Sequence, residues 1–322
     1  MNASRGRRLL VAVPMVTGLL AAVAACGSGE DGGAADGKIA VIASTNVWGS
    51  VAAAVGGDKV AVTSIIDDPS ADPHSYQATA ADAAEVTTAD VLVSNGGGYD
   101  DFFTKMAEQA PEAKSVVAVA DSGEDHGHDE HDHEHGEHEH GHGHEHGEGN
   151  EHVWYDLSTV GEVADQLAAS FGEADPGAKQ EFTDNAAAFK GKLDELNQSL
   201  TRIGDEHEGT KVVATEPVAH YLLEAAHIED ITPPDFANAI ENETDVPVAA
   251  QEEMTQLVTG KQVAAVVNNE QTVTPVTTKI TDQARNAGVP VVNLTETLPE
   301  GVTDYISWMS GQIDALSGAL NT

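Results

Sequence analysis

The feature that most limits the possible folds of this chain is one long amphipathic stretch in its middle. From Pro176 to Asp205, apolar residues recur at spacings of three, four and seven, which place them on one face of a helix. This face consists of Phe182, Phe189, Leu193, Leu196, Leu200 and Ile203. Pro176-Gly177 marks the predicted start of the helix and Gly204 its predicted end. A helix of about 27 residues spans about 40 Å, which is long enough to connect two lobes.

Both flanking halves alternate strand-like and helix-like segments. In the first half, β-branched runs predict strands at 38–43, 60–66, 91–94 and 115–120, with helices at 48–55, 79–87 and 100–109. In the second half, strands are predicted at 211–215, 263–268 and 289–294, with helices at 218–226, 248–259, 273–286 and 302–320. We therefore expect an α/β fold with two lobes, 38–175 and 206–322, each with a largely parallel sheet flanked by helices. One long rigid linker helix over 176–205 would join them.

The N-terminus has the composition of an export signal. Arg5, Arg7 and Arg8 precede an apolar run, 9–25, that is too short for a comfortable membrane span. Cys26, the only cysteine, ends a Val-Ala-Ala-Cys sequence that resembles a bacterial lipobox. We expect 1–25 to be a signal peptide, Cys26 to be lipidated and 26–37 to be a flexible tether. An ordinary cleaved signal that leaves a free thiol is the alternative.

Residues 121–150 form a histidine-rich tract with ten of the fifteen histidines of the chain. The tract has no Leu, Ile, Val, Phe or Met, so it cannot offset the entropy of ordering, and we expect a disordered loop. Imidazoles among carboxylates are ligands for divalent cations, zinc above all. The expected auxiliary ligands are His126, His128, His131, His133, His135, His138, His140, His142, His144 and His146. The alternative is an acidic linker in which the histidines are incidental.

The net charge excludes one class of partner. The chain has a formal charge of −39 at pH 7, from 54 acidic and 15 basic residues. Such a field repels nucleic acid and anionic membrane surfaces. We therefore expect no nucleic-acid partner, and contact with the membrane through the lipid anchor.

Four ligand-type side chains stand where a binding site is expected. His74 lies in a turn after the strand that ends at residue 66, and Glu216 and Glu296 follow the strands at 211–215 and 289–294. His152 lies where the histidine-rich tract rejoins the fold. In parallel α/β sheets, ligands bind beyond the carboxyl ends of strands. Glu216 could instead complement a helix N-terminus, Glu296 could be a solvated loop acid, and His220 could replace or join Glu216.

The stretch DPHSYQATAADAAEVTTADVLVSNGGGYDDFF, the segment EHVWYDL and the long linker helix resemble a known family. They are similar to the bacterial ABC-transporter substrate-binding lipoproteins for zinc or manganese, the ZnuA/TroA/PsaA type. The resemblance implies a metal site in the cleft between the lobes, with two ligands from each lobe. By this resemblance His74 and His152 are the ligands of the first lobe. Glu216 stands at a position that is His in zinc-type members and Glu in several manganese-type members, and Glu296 stands where Asp is usual.

We therefore expect an extracytoplasmic, lipid-anchored, monomeric receptor that passes Zn²⁺ to an ABC permease and its ATPase, and not an enzyme. Two imidazoles favour zinc, two carboxylates are friendlier to Mn²⁺, and the histidine-rich tract favours zinc. The alternatives are a manganese receptor of the same family and an extracellular metal buffer or adhesin without a transport role. A metallohydrolase would need an open coordination position and a general base, and the sequence has no such motif. The H-E-x-x-H pattern from His138 to His142 requires a helix, which a Gly-rich loop cannot form.

Overall fold

The computed structural model describes residues 37–69, 71, 73, 75–119, 150–242 and 244–322. The predicted signal peptide, Cys26, His74 and all of the histidine-rich tract except Asn150 lie outside these residues. None of the helices in the described ranges is long and apolar enough to cross a membrane.

The first half of the chain forms a four-stranded parallel sheet with the strand order β2-β1-β3-β4. Its strands are β1 (Ile39–Thr45), β2 (Val60–Ile66), β3 (Val91–Gly96) and β4 (Lys114–Val119). Its helices are α1 (Asn46–Gly56), α2 (Ala80–Val86), α3 (Asp101–Ala107) and α4 (Leu157–Ala174). Val41 of β1 pairs with Val62 and Val91 on one face, and Ile42 pairs with Leu92 on the other, so the centre of the sheet is apolar on both faces.

The second half repeats this architecture with the strand order β6-β5-β7-β8, again all parallel. Its strands are β5 (Lys211–Ala214), β6 (Glu229–Asp230), β7 (Ala265–Asn269) and β8 (Val291–Leu294). Its helices are α6 (His220–Ala225), α7 (Pro234–Glu241), α8 (Val248–Thr259), α9 (Pro275–Ala287) and α10 (Tyr305–Leu320). The prediction of two α/β lobes with parallel sheets is confirmed.

The long linker helix is α5 (Lys179–Glu206), with 28 residues. All six apolar residues of its predicted face are buried. The helix packs against α1 and α4 of the first half and against α6 and α10 of the second. Gly204 does not end the helix as predicted. A Cβ at this position would lie 2.7 Å from the carbonyl oxygen of Ala226, so the glycine allows close packing against the chain that follows α6.

Among the α-helices and strands of the described residues, α4, β6 and α7 were not predicted from the sequence. α4 has a clear start, because the Asp156 side chain accepts a hydrogen bond from the backbone N–H of Ser158. Its buried face has helical spacing: Val160, Val163, Ala164, Leu167 and Phe171. This helix packs along α5 and against α1 and β4 of the first sheet.

The buried face of α5 gives a direct test of the fold. We expect Leu200→Ala to lower the free energy of unfolding by about 2–5 kcal/mol, because Leu200 is fully buried and its loss leaves a cavity. Gln198→Ala, on the exposed face of the same helix, should change it by less than about 0.5 kcal/mol. Urea unfolding followed by circular dichroism measures both. If Leu200→Ala changed the free energy of unfolding as little as Gln198→Ala does, the apolar face of α5 could not be buried as described.

Candidate metal centre

His152 is fully buried, and Asn150 sets its ring orientation. Asn150 Oδ1 accepts hydrogen bonds from the backbone N–H of His152 and from His152 Nδ1, both at 2.8 Å. Because a carboxamide oxygen can only accept, Nδ1 must carry the proton. The lone pair of the neutral ring is then on Nε2. This is the tautomer that an imidazole needs to bind a metal through Nε2.

The segment that contains His152 is anchored to the end of β3. Asn95 Nδ2 donates to the carbonyl oxygen of Glu151 at 2.8 Å. The His152 ring also contacts two aromatic rings, with centroid distances of 5.1 Å to Trp154 and 6.3 Å to Tyr99. The imidazole therefore has a defined position even though it directly follows the histidine-rich tract in sequence.

A glycine turn after β3 brings Tyr99 to the site. The Asp100 carboxylate accepts the backbone N–H groups of Asn95 and Gly96 at 2.7 and 2.8 Å, and burial raises the pKa of Asp100. The three glycines after Asn95 all have positive φ, which favours glycine. A Cβ on Gly96 would also lie 2.2 Å from the carbonyl oxygen of Val119. The tight turn therefore requires the glycines of the sequence GGGYD, and it positions the tyrosine that follows them.

Glu216 and Glu296 share one carboxamide. Glu216 follows β5 and is 4% exposed, and Glu296 follows β8 and is 1% exposed. Asn269 ends β7, between these two strands, and its Nδ2 lies 2.5 Å from Glu216 Oε2 and 2.6 Å from Glu296 Oε1. The carboxyl ends of three neighbouring parallel strands therefore bring two predicted ligands to one group, as the strand-end rule requires.

Tyr99 links Glu296 to the other lobe. Its hydroxyl donates to Glu296 Oε2 at 2.9 Å. Burial, and then the charge of Glu296, raise the pKa of Tyr99 well above its ordinary value, so the phenol keeps its proton and remains a donor. Because Tyr99 also contacts the His152 ring, it connects the buried imidazole to Glu296. The candidate site therefore lies in the cleft between the lobes.

A further carboxylate lies beside His152. The side chains of Glu151, His152 and Glu241 have potential ligand atoms within 4.8 Å of one another. Glu241 is the last residue of α7 and was not predicted as a site residue. It stands in the acidic stretch ENETD, where the sequence gives no signal that separates it from solvated acids.

His220 lies at the surface, whereas Glu216 is buried. His220 is the first residue of α6, its side chain is 53% exposed, and its Nε2 lies 3.9 Å from the Glu224 carboxylate. The neighbouring Tyr221 faces the other lobe, where its hydroxyl donates to the carbonyl oxygen of Asn150 at 2.8 Å. Buried Glu216 and exposed His220 thus have different surroundings.

Known proteins share this sequence pattern and fold. Residues 41–319 match the family model ZnuA, the periplasmic component A of a zinc-uptake complex. The manganese-binding lipoprotein MntA of Bacillus subtilis is 27% identical over 267 residues, which cover 78% of this chain and 80% of MntA.

Two solved structures share the fold at 18% identity. The periplasmic zinc-binding protein TroA from Treponema pallidum has a TM-score of 0.69 and covers 88% of this chain and 99% of its own. The protein FpvC from Pseudomonas aeruginosa, solved in complex with Mn²⁺, has a TM-score of 0.67, and the match covers 88% of this chain and 98% of FpvC. Because the family model spans most of the sequence, this chain belongs to the ZnuA family, whose members are metal-binding receptors of ABC importers and not enzymes.

Proposed function

We propose that this protein binds Zn²⁺ outside the cytoplasmic membrane, anchored by a lipid on Cys26, and delivers it as a monomer to an ABC permease and its ATPase. The observation that carries this proposal is a buried imidazole of fixed tautomer in the same cleft as two buried carboxylates. Burying two negative charges is costly unless an opposite charge compensates them. A divalent cation held by imidazole and carboxylate provides that compensation.

The proposed ligands are His74, His152, Glu216 and Glu296. His74 is assigned from its sequence, since it lies outside the described residues. Burial and the contact with Asn269 support Glu216 over His220. Contacts with Asn269 and Tyr99 support Glu296 as a ligand held in a fixed orientation.

Zinc is proposed over manganese because imidazole ligands suit zinc and because zinc outcompetes manganese at most sites of this kind. The histidine-rich tract supports the same choice, and we propose that it collects additional, weaker zinc ions. A manganese receptor is the second candidate. It is favoured by the carboxylate pair and by the manganese-binding name of the relative MntA.

Substitution of the ligands tests the site. In a variant in which the ten tract histidines are replaced by serine, we expect one tightly bound zinc ion per chain. His74→Ala and His152→Ala should each weaken this binding by more than about 100-fold, because loss of a ligand exceeds the 10–100-fold effect of outer partners. Glu216→Gln should cause the next largest loss of zinc affinity, and Glu296→Gln should cause the smallest. Competition with a chromophoric chelator measures the affinities.

Glu270→Gln is the matched control, because Glu270 is an exposed acid beside Asn269. It should bind zinc as the parent does. If Glu241→Gln lost more zinc affinity than Glu216→Gln, the ligand would be Glu241 at the end of α7 and not Glu216 after β5. A parent protein without tight zinc would contradict the proposed function.

The choice of ion has a thermal test. Binding to the folded state alone adds about 4 kcal/mol at a free-ion concentration 1,000-fold above Kd. We therefore expect zinc to raise the melting temperature more than manganese does at equal concentration, by the affinity order given above. Differential scanning calorimetry with each ion measures the two shifts. A larger shift with manganese would support the manganese receptor instead.

The tract should bind zinc weakly and in several equivalents, because its ten histidines, interleaved with glycines and carboxylates, offer many alternative sets of ligands. Isothermal titration of the intact protein should show these equivalents, and they should weaken below about pH 6.5, where imidazoles protonate. They should disappear when the ten histidines are replaced by serine. A deletion that serves the same purpose must stop at Gly149, because Asn150 orients His152. Weak sites that persist in the serine variant would contradict this role.

A further inference from the structure

Two carboxamide side chains each connect a segment of one lobe to a segment of the other beside a proposed ligand. They are Asn150, two residues before His152, and Gln271, two residues after Asn269. Neither is a proposed ligand, and both are partly buried in their contacts. They are called the carboxamide clasp below.

Gln271 connects the segment that precedes His74 in sequence with the segment that carries Glu296. Its Nε2 donates to the carbonyl oxygens of Pro69 and Ala71, at 3.1 and 3.2 Å, across the cleft. Its Oε1 accepts the backbone N–H of Glu296 at 2.6 Å and of Thr297 at 3.1 Å. Nε2 also donates to Thr297 Oγ1 at 2.7 Å.

Asn150 makes the corresponding connection on the other side of the site. Its Oδ1 holds the ring and the backbone of His152, and its Nδ2 donates to the carbonyl oxygen of Pro217 at 2.7 Å. Pro217 directly follows Glu216. The Tyr221 hydroxyl, from α6, donates to the backbone oxygen of the same Asn150 at 2.8 Å.

The partners determine how both carboxamides are oriented. In each case the oxygen faces backbone N–H groups, which only donate, and the nitrogen faces backbone carbonyl oxygens, which only accept. A flipped amide would place like groups against each other at both ends. Each carboxamide therefore functions as a two-ended connector, and aspartate or glutamate cannot replace it, because a carboxylate donates no hydrogen bond.

We propose that the carboxamide clasp is a positioning device that holds the lobes together around the bound ion and slows release of the ion. This inference rests on the proposed function, since it concerns retention at the same site. The ion can leave once the ligands of the two lobes separate, and the clasp opposes that separation without contributing a ligand. Differences in affinity between related complexes lie mostly in the dissociation rate, so release is the quantity to measure.

The test compares two variants that break different bonds of Gln271. Gln271→Glu keeps an acceptor for the N–H groups of residues 296 and 297 but places a carboxylate oxygen against Pro69 and Ala71. We expect release of zinc to be about tenfold faster, from the loss of the bonds between the lobes. The added negative charge attracts a cation and so acts against faster release, and Tyr221→Phe tests the clasp without a change of charge.

Thr297→Val removes the bond within the lobe and keeps the bonds between the lobes, so release should stay within about twofold of the parent. Tyr221→Phe weakens the Asn150 side of the clasp without a change of charge and should speed release about fivefold. Release is followed by stopped flow into excess chromophoric chelator, with the tract histidines replaced by serine in every variant. The proposal would be overturned if Gln271→Glu released zinc at the rate of the parent, or if Thr297→Val released zinc as fast as Gln271→Glu does.

Hydrogen exchange separates failure of the clasp from failure of the proposed function. In metal-free protein, peptides that cover 66–77 should take up deuterium faster in Gln271→Glu than in the parent, and no faster in Thr297→Val. This result would support the clasp even if the parent retained no zinc, an outcome that would refute the proposed function alone. Unchanged exchange in Gln271→Glu would refute the clasp whatever the metal content.

Discussion

Repulsion between two buried carboxylates is the constraint on which the arrangement of the site depends. Glu216 and Glu296 both lie within hydrogen-bonding distance of Asn269 Nδ2, and charges so close repel each other strongly away from water. The Asn269 amide and the Tyr99 hydroxyl donate to these oxygens, which offsets part of the repulsion without removing the charge. A divalent cation can offset the remainder. The carboxylate pair therefore favours a cation in the cleft over an anion.

The framework could be predicted because it depends on periodicity. β-branched runs located the central strands, and the apolar face of α5 was visible as spacing alone. β6 could not be predicted in this way. It consists of Glu229 and Asp230, which have low strand propensity, and it exists because the chain after α6 lies beside β5. α4 could have been predicted, because Asp156 is a favourable N-cap residue and the apolar residues after it have helical spacing.

The site could be predicted in part for a related reason. The strand-end rule predicted that Glu216 and Glu296 lie at one edge of the second sheet, and the structure shows both at Asn269; their role as ligands stays a prediction. The roles of Asn150, Asn269 and Gln271 were not predictable, because a carboxamide acts through whichever donors and acceptors the folded chain brings to it. In sequence, Asn and Gln in loops are ordinary residues. Glu241 was missed for the same reason, since its proximity to His152 depends on how α7 packs.

Asn150 has a consequence for how such a protein can diversify. It is the last residue of the histidine-rich tract and the one tract residue that the structure describes, and it is hydrogen-bonded to Pro217, Tyr221 and His152. The hydrogen bonds that position the imidazole therefore come from Asn150, at the end of the tract, and from the two lobes. None of these hydrogen bonds involves a tract histidine, so a change in the number or order of those histidines leaves them intact, and the two parts of the molecule can evolve at different speeds.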